Sequence, residues 1–404
     1  MRRRPRTLTG RLAGMLAGLV LAAAALVAVA APAQAASLIQ VTGFGSNPGN
    51  LAMYAYRPDN LPSGAPAVVL LHGCAQNATG YLANSGWQKY ADQWKFALIV
   101  PEQRSANNSS SCFNWFETGD TSRGQGEALS IKQMVDHARS SYGTAADRVY
   151  VSGLSAGGAM GAAMLATYPD VFAAGSIIAG VPYRCATGMV NAFTCMSPGV
   201  DRTPAQWGDL VRNAHPGYSG PRPKVAIWHG TADYTVATAN ATESRDQWTN
   251  VLGVAQTPTS TAQLPGGTNL EVYGNDAVRV YRVSGMGHGT PVDPGTGADQ
   301  CGTAAAYFLD TICSAYRDAL FFGLNGGGPT PSPTATAGPT ANPSPTGAPS
   351  CVTASNYAHV VAGRAYHSGG YAYANGSHQR MGLYNTFHTT ALRQTAPNHW
   401  VIGC

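Results

Sequence analysis

Gly153-Leu154-Ser155-Ala156-Gly157-Gly158 sets a serine among residues with almost no side chain. Val149-Tyr150-Val151-Ser152 before it has strand character, and the small residues after it suit a closely packed helix. A strand, a Gly-x-Ser-x-Gly turn and a helix form a nucleophile elbow, which lifts the serine hydroxyl clear of a sheet edge. The turn is so tight that its flanking residues must be small, and Gly153, Ala156, Gly157 and Gly158 meet that demand. The chemistry implied is nucleophilic catalysis by Ser155, with the backbone N–H of Ala156 facing a developing oxyanion.

A serine hydroxyl is a weak nucleophile at neutral pH, so the chain must supply a base and an acid that orients it. Asp233 follows the apolar run Lys224–Gly230, in Gly230-Thr231-Ala232-Asp233, and His288 follows Val278–Val283, in Gly287-His288-Gly289. Serine, then acid, then histidine is the order of an α/β-hydrolase. Asp246 and Asp276 compete for the acid, but the position of Asp233 after a strand and its Gly-Thr-Ala-Asp turn put it ahead. His72, His215 and His229 compete for the base. His72 and His229 precede glycines at strand ends, where hydrogen-bonded structural histidines are expected. The second oxyanion donor is expected on the loop His72-Gly73-Cys74-Ala75-Gln76, at the Cys74 backbone N–H.

The elements that must position these groups are legible as apolar runs. Ala67–Leu71, Phe96–Val100 closed by Pro101, Ala174–Ala179, Lys224–Gly230 and Val278–Val283 read as strands buried in a parallel sheet. Tyr81–Trp94 and Gly126–Tyr142 read as helices, and a helix from about Thr303 to Phe321 is expected to close the domain. Strands alternating with helices predict an α/β fold with a mostly parallel sheet. Pro182–Pro223, rich in Pro, Gly and polar residues, reads as an insertion forming a lid or a wall of the cleft.

Composition narrows the function further. The formal charge is +5, from 25 basic and 20 acidic residues, but Arg2, Arg3, Arg4, Arg6 and Arg11 lie in an acid-free leader. The remaining 20 basic residues balance the 20 acidic ones, so nucleic acid is not an expected partner. Residues 1–35 read as a signal peptide, with an Arg-rich start, an apolar run and Ala33-Gln34-Ala35 for cleavage. An uncleaved anchor is the rival reading. No other segment is apolar and long enough to span a membrane. The chain is therefore expected outside the cell, as a monomer. Eight cysteines suit an oxidising compartment. Sequence leaves their connectivity open; pairing neighbours gives Cys74–Cys112, Cys185–Cys195, Cys301–Cys313 and Cys351–Cys404. No spacing suggests zinc, and neither metal nor organic cofactor is expected.

Residues 326–350, rich in Pro, Thr, Ser, Gly and Ala, read as an extended linker between a catalytic domain at 36–325 and a module at 351–404. The module has no Lys, Asp or Glu, but carries five histidines and seven Tyr, Phe and Trp residues. A core of that size is marginal, so a disulfide joining its ends is expected to help. Tyr371, Tyr373, Tyr384 and Trp400 are candidate binding residues for a weakly polar polymer surface, where rings supply contact area at low entropy cost. About half of the rings are expected to be buried, and the histidines are expected in surface hydrogen bonds.

Together, Leu71-His72-Gly73-Cys74-Ala75-Gln76, Cys112-Phe113-Asn114-Trp115-Phe116, Arg123-Gly124-Gln125-Gly126-Glu127, the Ser155 turn and Gly287-His288-Gly289 resemble the extracellular poly(3-hydroxybutyrate) depolymerases. These belong to a wider esterase family that also holds feruloyl and acetylxylan esterases. The resemblance covers roughly residues 37–325. Segments following Cys351, Ser368 and Met381 resemble the substrate-binding domain of such depolymerases. The resemblance implies a Cys74–Cys112 bridge and places Trp115 near the substrate. It implies a secreted serine esterase acting on solid polyester. Feruloyl or acetylxylan ester hydrolysis is the second expectation, and a catalytically silent binding protein is the rival from another class.

Overall fold

The computed structural model describes residues 37–326 and, beyond them, 351–362, 364–368, 370–385, 387–396 and 399–403. The expected signal peptide over 1–35, the expected linker apart from Gly326, and Cys404 with its expected bridge lie outside the described residues. The described residues fall into two compact units, one on each side of the linker stretch.

The first unit is built on ten strands: β1 (Leu38–Val41), β2 (Ala52–Tyr56), β3 (Ala67–Leu71), β4 (Ala97–Glu102), β5 (Val149–Leu154), β6 (Ala174–Ile178), β7 (Lys224–Gly230), β8 (Ser260–Leu264), β9 (Thr268–Tyr273) and β10 (Val278–Val283). Their order is β1-β2-β4-β3-β5-β6-β7-β10-β9-β8. The six central strands, β4 to β10 in that order, are parallel, and both edges are antiparallel. The eight helices among its described residues are α1 (Ala78–Ser85), α2 (Trp87–Trp94), α3 (Gly126–Tyr142), α4 (Ala156–Thr167), α5 (Met189–Met196), α6 (Pro204–Arg212), α7 (Ala239–Val251) and α8 (Ser314–Phe321). Among the described residues, no helix is long and apolar enough to cross a membrane.

Successive side chains of a strand face opposite ways, so a strand that is apolar throughout must be covered on both faces. β3 shows this. Val69 and Leu71 join a core with Ile131 and Met134 of α3, Met160 and Met164 of α4, and Trp248 of α7. Val68 and Leu70 join a second core with Tyr81 of α1, Trp87 and Tyr90 of α2, and Phe321 of α8. On that side Trp228 and Tyr281, opposite each other on β7 and β10, stack with centroids 3.7 Å apart.

Several expectations need correction. The helix expected over Tyr81–Trp94 is two helices, broken at Gly86. That residue sits at φ +83°, and a Cβ there would lie 2.4 Å from Cys301 Sγ. β4 does not close at Pro101 but runs to Glu102; its pairing with β3 ends at Ile99, so the proline meets only β2. The helix expected from Thr303 is α8 alone. The preceding stretch instead contains the Cys301–Cys313 bridge and a two-stranded sheet, β11 (Thr290–Val292) with β12 (Phe308–Asp310). The insertion at 182–223 folds as α5 and α6, with Thr203 and Gln206 forming a capping box at α6.

The second unit holds β13 (Cys351–Ser355), α9 (Asn356–Val361), β14 (Ala365–Ser368), β15 (Tyr371–Ala374), β16 (Arg380–Leu383), β17 (Thr389–Ala396) and β18 (His399–Ile402). They form two antiparallel sheets, β13-β17-β18 and β14-β15-β16. The apolar core is small, with Ala374, Leu392 and Trp400 at its centre. Buried polar side chains supplement it. Asn356 donates to the carbonyls of Met381 and Leu383, while His359 Nε2 donates to Thr390 O at 2.7 Å and its Nδ1 accepts from Arg364. His359 is thus an interior structural histidine rather than a surface one.

Candidate active site

β5 lies in the middle of the sheet and delivers the chain into α4 through Ser155, at φ +56° and ψ −116°. A non-glycine residue there is strained, and the surroundings hold it. Its N–H donates to Ile178 O at 2.8 Å, and all twelve residues of α4 are buried. The glycines are steric necessities. A Cβ on Gly157 would lie 2.2 Å from Leu71 O, and one on Gly153 would lie 2.4 Å from Gly157 O. The same contact shows that the loop leaving β3 lies directly against the elbow.

Asp233 and His288 arrive on the loops after β7 and β10, which are parallel neighbours. The loops are joined before they reach the site. Thr231 N donates to Val283 O at 2.9 Å, Ala232 N to Met286 O at 3.0 Å, and Gly285 N to Thr231 Oγ1 at 2.8 Å. The structure brings Ser155, His288 and Asp233 into one hydrogen-bonded line. Ser155 Oγ lies 2.9 Å from His288 Nε2, and His288 Nδ1 donates to Asp233 Oδ2 at 2.8 Å. Asp233 Oδ1 takes the N–H groups of Thr235 and Val236, each at 2.9 Å. Burial pushes the Asp233 carboxyl up, but the bond and charge of His288 with these N–H donors bring it below the usual value.

The rivals are occupied elsewhere. Asp246 pairs with Arg245, and Asp276 with Lys224 and Arg279. His72 is buried, accepts from Gln103 N at 3.1 Å through Nε2 and donates from Nδ1 to Gly73 O at 2.7 Å. Burial pushes it down to about 4, so it is neutral. His229, also lowered by burial, donates from Nε2 to Val236 O at 2.9 Å, behind Asp233. His215 stacks on Tyr218.

Ala156 opens α4, so its N–H has no partner within the helix. Cys74 sits on the loop that abuts the elbow and is bridged to Cys112. Cys185–Cys195 is also present, and ties the start of the insertion to α5. Trp115 is 9% exposed, edge-on to Phe116, in a cluster with Ala156, Ala159 and Val236. It is therefore mostly a packed wall beside the elbow. α5 buries Ala192 and Cys195 in that cluster and turns Met189, Val190 and Phe193 outward. Tyr307, edge-on to the His288 ring at 6.3 Å and half-exposed, had no signature in the sequence beyond a ring in an alanine-rich stretch.

In the second unit, strand alternation sorts the candidate rings. Ala365, Ala372 and Ala374 face inward, and Tyr366, Tyr371 and Tyr373 face the other way. Tyr366 and Tyr373 are cross-strand partners stacked at 5.4 Å, and the Arg380 guanidinium lies 3.6 Å over the Tyr371 ring. Tyr384 stacks on His367 at 4.4 Å. Trp400, expected at the surface, is 8% exposed in the core.

The family described as Esterase PHB depolymerase matches residues 49–273. A poly(3-hydroxyalkanoate) depolymerase C of Paucimonas lemoignei is 56% identical over 295 residues, 72% of this chain and 71% of that protein. A feruloyl esterase B of Talaromyces stipitatus is 38% identical over 267 residues, 64% of this chain and 74% of that protein. Among solved structures, an acetyl xylan esterase from Aspergillus awamori is 30% identical, with a TM-score of 0.61 over 71% of this chain and 99% of its own.

Proposed function

The chain belongs to the PHB depolymerase family of esterases and is a carboxylic ester hydrolase, and from that premise we propose that it is a secreted serine depolymerase of poly(3-hydroxybutyrate). The observation that carries the serine mechanism is the unbroken line from Ser155 Oγ through His288 to Asp233. His288 Nε2 takes the hydroxyl proton as Oγ attacks the ester carbonyl. Asp233 holds the imidazole tautomer and stabilises the imidazolium. The backbone N–H groups of Cys74 and Ala156 take the carbonyl oxygen as it gains charge. Collapse breaks the ester C–O bond, and His288 returns the proton to the departing alkoxide, leaving an acyl group on Ser155. Water, deprotonated by His288, then releases the acid and restores the serine. Successive cuts yield monomer or short oligomers.

Polyester is favoured over plant esters by the higher identity to a polyester depolymerase, 56% against 38%, and by the second unit. The outward face carrying Tyr366, Tyr371 and Tyr373 offers rings and hydroxyls to a weakly polar solid, with no carboxylate in the module. Residues 351–404 are thus read as a polymer-binding module, tethered by the linker. Trp115 and Tyr307 would flank the bound chain. Secretion rests on the leader and the disulfides. The feruloyl and acetyl xylan relatives make cell-wall ester hydrolysis the second reading.

The test is one side-by-side assay. Purified mature protein should clear a poly(3-hydroxybutyrate) granule suspension and release little from methyl ferulate or acetylated xylan; the reverse selectivity would transfer the enzyme to cell-wall esters. Ser155→Ala should abolish hydrolysis of p-nitrophenyl butyrate, and retained turnover would remove the serine mechanism.

A further inference from the structure

Glu127 is a buried carboxyl to which the ester chemistry assigns no task. It stands in the first turn of α3, 1% exposed. Among the described residues, no Lys, Arg or His forms an ion pair with it. Burial, and then the neighbouring Asp120, push it up to about 8. A carboxyl kept dry without a cation is costly, and an apolar residue of similar size would remove that cost. Its two hydrogen bonds indicate what it holds.

Oε1 accepts from Gln103 Nε2 at 2.5 Å, and Oε2 accepts from Asn114 N at 2.9 Å. Gln103 bonds to His72, whose carbonyl lies against Gly157 of the elbow, and Asn114 precedes Trp115, which packs in a cluster with Ala156. The backbone N–H of Gln103 donates to His72 Nε2, which fixes the ring so that Nδ1 donates to Gly73 O. Gly73 N in turn donates to Gln76 Oε1 at 2.8 Å, which closes the loop on itself. Asn114 lies between Trp115 and Cys112, and Cys112 is bridged to Cys74. The Gln103 amide also donates to Cys112 O at 3.1 Å. Two routes therefore leave one carboxyl and meet again at Cys74.

We propose that Glu127 is a positioning residue that sets the 72–76 loop through Gln103–His72 and through Asn114–Cys112, holding the Cys74 N–H where the ester oxyanion forms. This rests on the oxyanion assignment made under the proposed function. A role in packing alone would cost stability and leave kcat untouched. A positioning role lowers kcat with KM retained, because the contact is made in the transition state.

The experiment uses the full mature chain with p-nitrophenyl butyrate. Glu127→Gln keeps the shape, but its amide nitrogen can only donate, whereas each carboxyl oxygen keeps a lone pair whether or not the group is protonated, so Gln103 and Asn114 cannot both be served. The expected result is a fall in kcat of about tenfold or more with KM within about twofold, since loss of one oxyanion donor costs about 10²–10³ and a displaced one less. Phosphonylation by a fluorophosphonate probe should slow in proportion. Gln103→Met cuts the Gln103 route, together with its bond to Cys112 O, and leaves Asn114 N bonded to Glu127. It should lower kcat similarly, and the double variant should be no slower than the slower single one. Wild-type kcat in Glu127→Gln, a loss confined to KM or Tm, or simple multiplication of the two effects would overturn the proposal. If Glu127→Gln does not fold, wild-type kcat in Gln103→Met overturns it alone. Ser155→Ala separates the two readings: activity surviving there removes the serine mechanism, whereas an inactive Ser155→Ala beside a fully active Glu127→Gln removes only the positioning role.

Discussion

At the scale of single residues, the hydrogen-bonded line from Ser155 to Asp233 makes the acid testable. Asp233→Asn removes one acceptor from a carboxylate that takes three N–H groups, so the His288 tautomer is lost while the loop persists. We expect kcat on p-nitrophenyl butyrate to fall about 10⁴-fold with Tm little changed. Asp246→Asn should stay within about twofold, since Asp246 pairs with the neighbouring Arg245 in a partly buried pair on α7 and bonds to none of Ser155, His288 and Asp233. Comparable losses in the two variants would dismiss Asp233 as the orienting acid. These candidates were readable from sequence because each stands in a small-residue turn at the end of an apolar run. Glu127, Gln103 and Tyr307 were not, because their meaning comes from what tertiary folding sets beside them. Trp400 misled for the same reason: an indole suits a polymer surface and a small core equally well.

Among elements, the strands covered on both faces were legible, since only a parallel sheet needs such runs. The edges were not. β1, β8 and β9 are partly exposed and interrupt their apolar residues with polar ones, and α7 shows no strong apolar stripe. Helix breaks also escaped, because the Cys301 side chain that excludes a Cβ at Gly86 is distant in sequence. The packing of α8 on the sheet carries a pH signature. Asp318 is fully buried, accepts from Trp228 Nε1 at 2.8 Å, and is pushed up to about 7 by burial. The folded chain holds this proton where the unfolded chain has released it. Its stabilising contribution is therefore complete below the unfolded pKa of about 4 and is lost as pH rises towards 7. Glu127 acts with the same sign up to about 8. Asp318→Asn should thus shrink the fall in Tm between pH 5 and pH 8, by about 5 °C. An unchanged fall on thermal denaturation would count against a buried, proton-holding Asp318.

For the whole molecule, the two units make separable demands. Each has its own core, so a chain ending at Gly326 should fold and hydrolyse p-nitrophenyl butyrate within about twofold of the full chain. The same truncation should clear polyester granules much more slowly, and equal clearing would refute the binding role of residues 351–404. The division into a hydrolase and a charge-poor aromatic module was legible, because composition changes abruptly on either side of the linker stretch. Which rings face outward was not, since strand register decides it.

The described bridges join Cys74 to Cys112, Cys185 to Cys195 and Cys301 to Cys313. In each, a cysteine is joined to the next one along the chain, and no bridge interleaves with another. A polypeptide emerging amino end first presents these thiols in pairs, and each can close before the following pair appears. The first partner encountered is the native one. Forming these three bridges therefore needs an oxidant but no shuffling of mispaired intermediates, and for them a host with an oxidising export route and a weak isomerase would be an adequate producer.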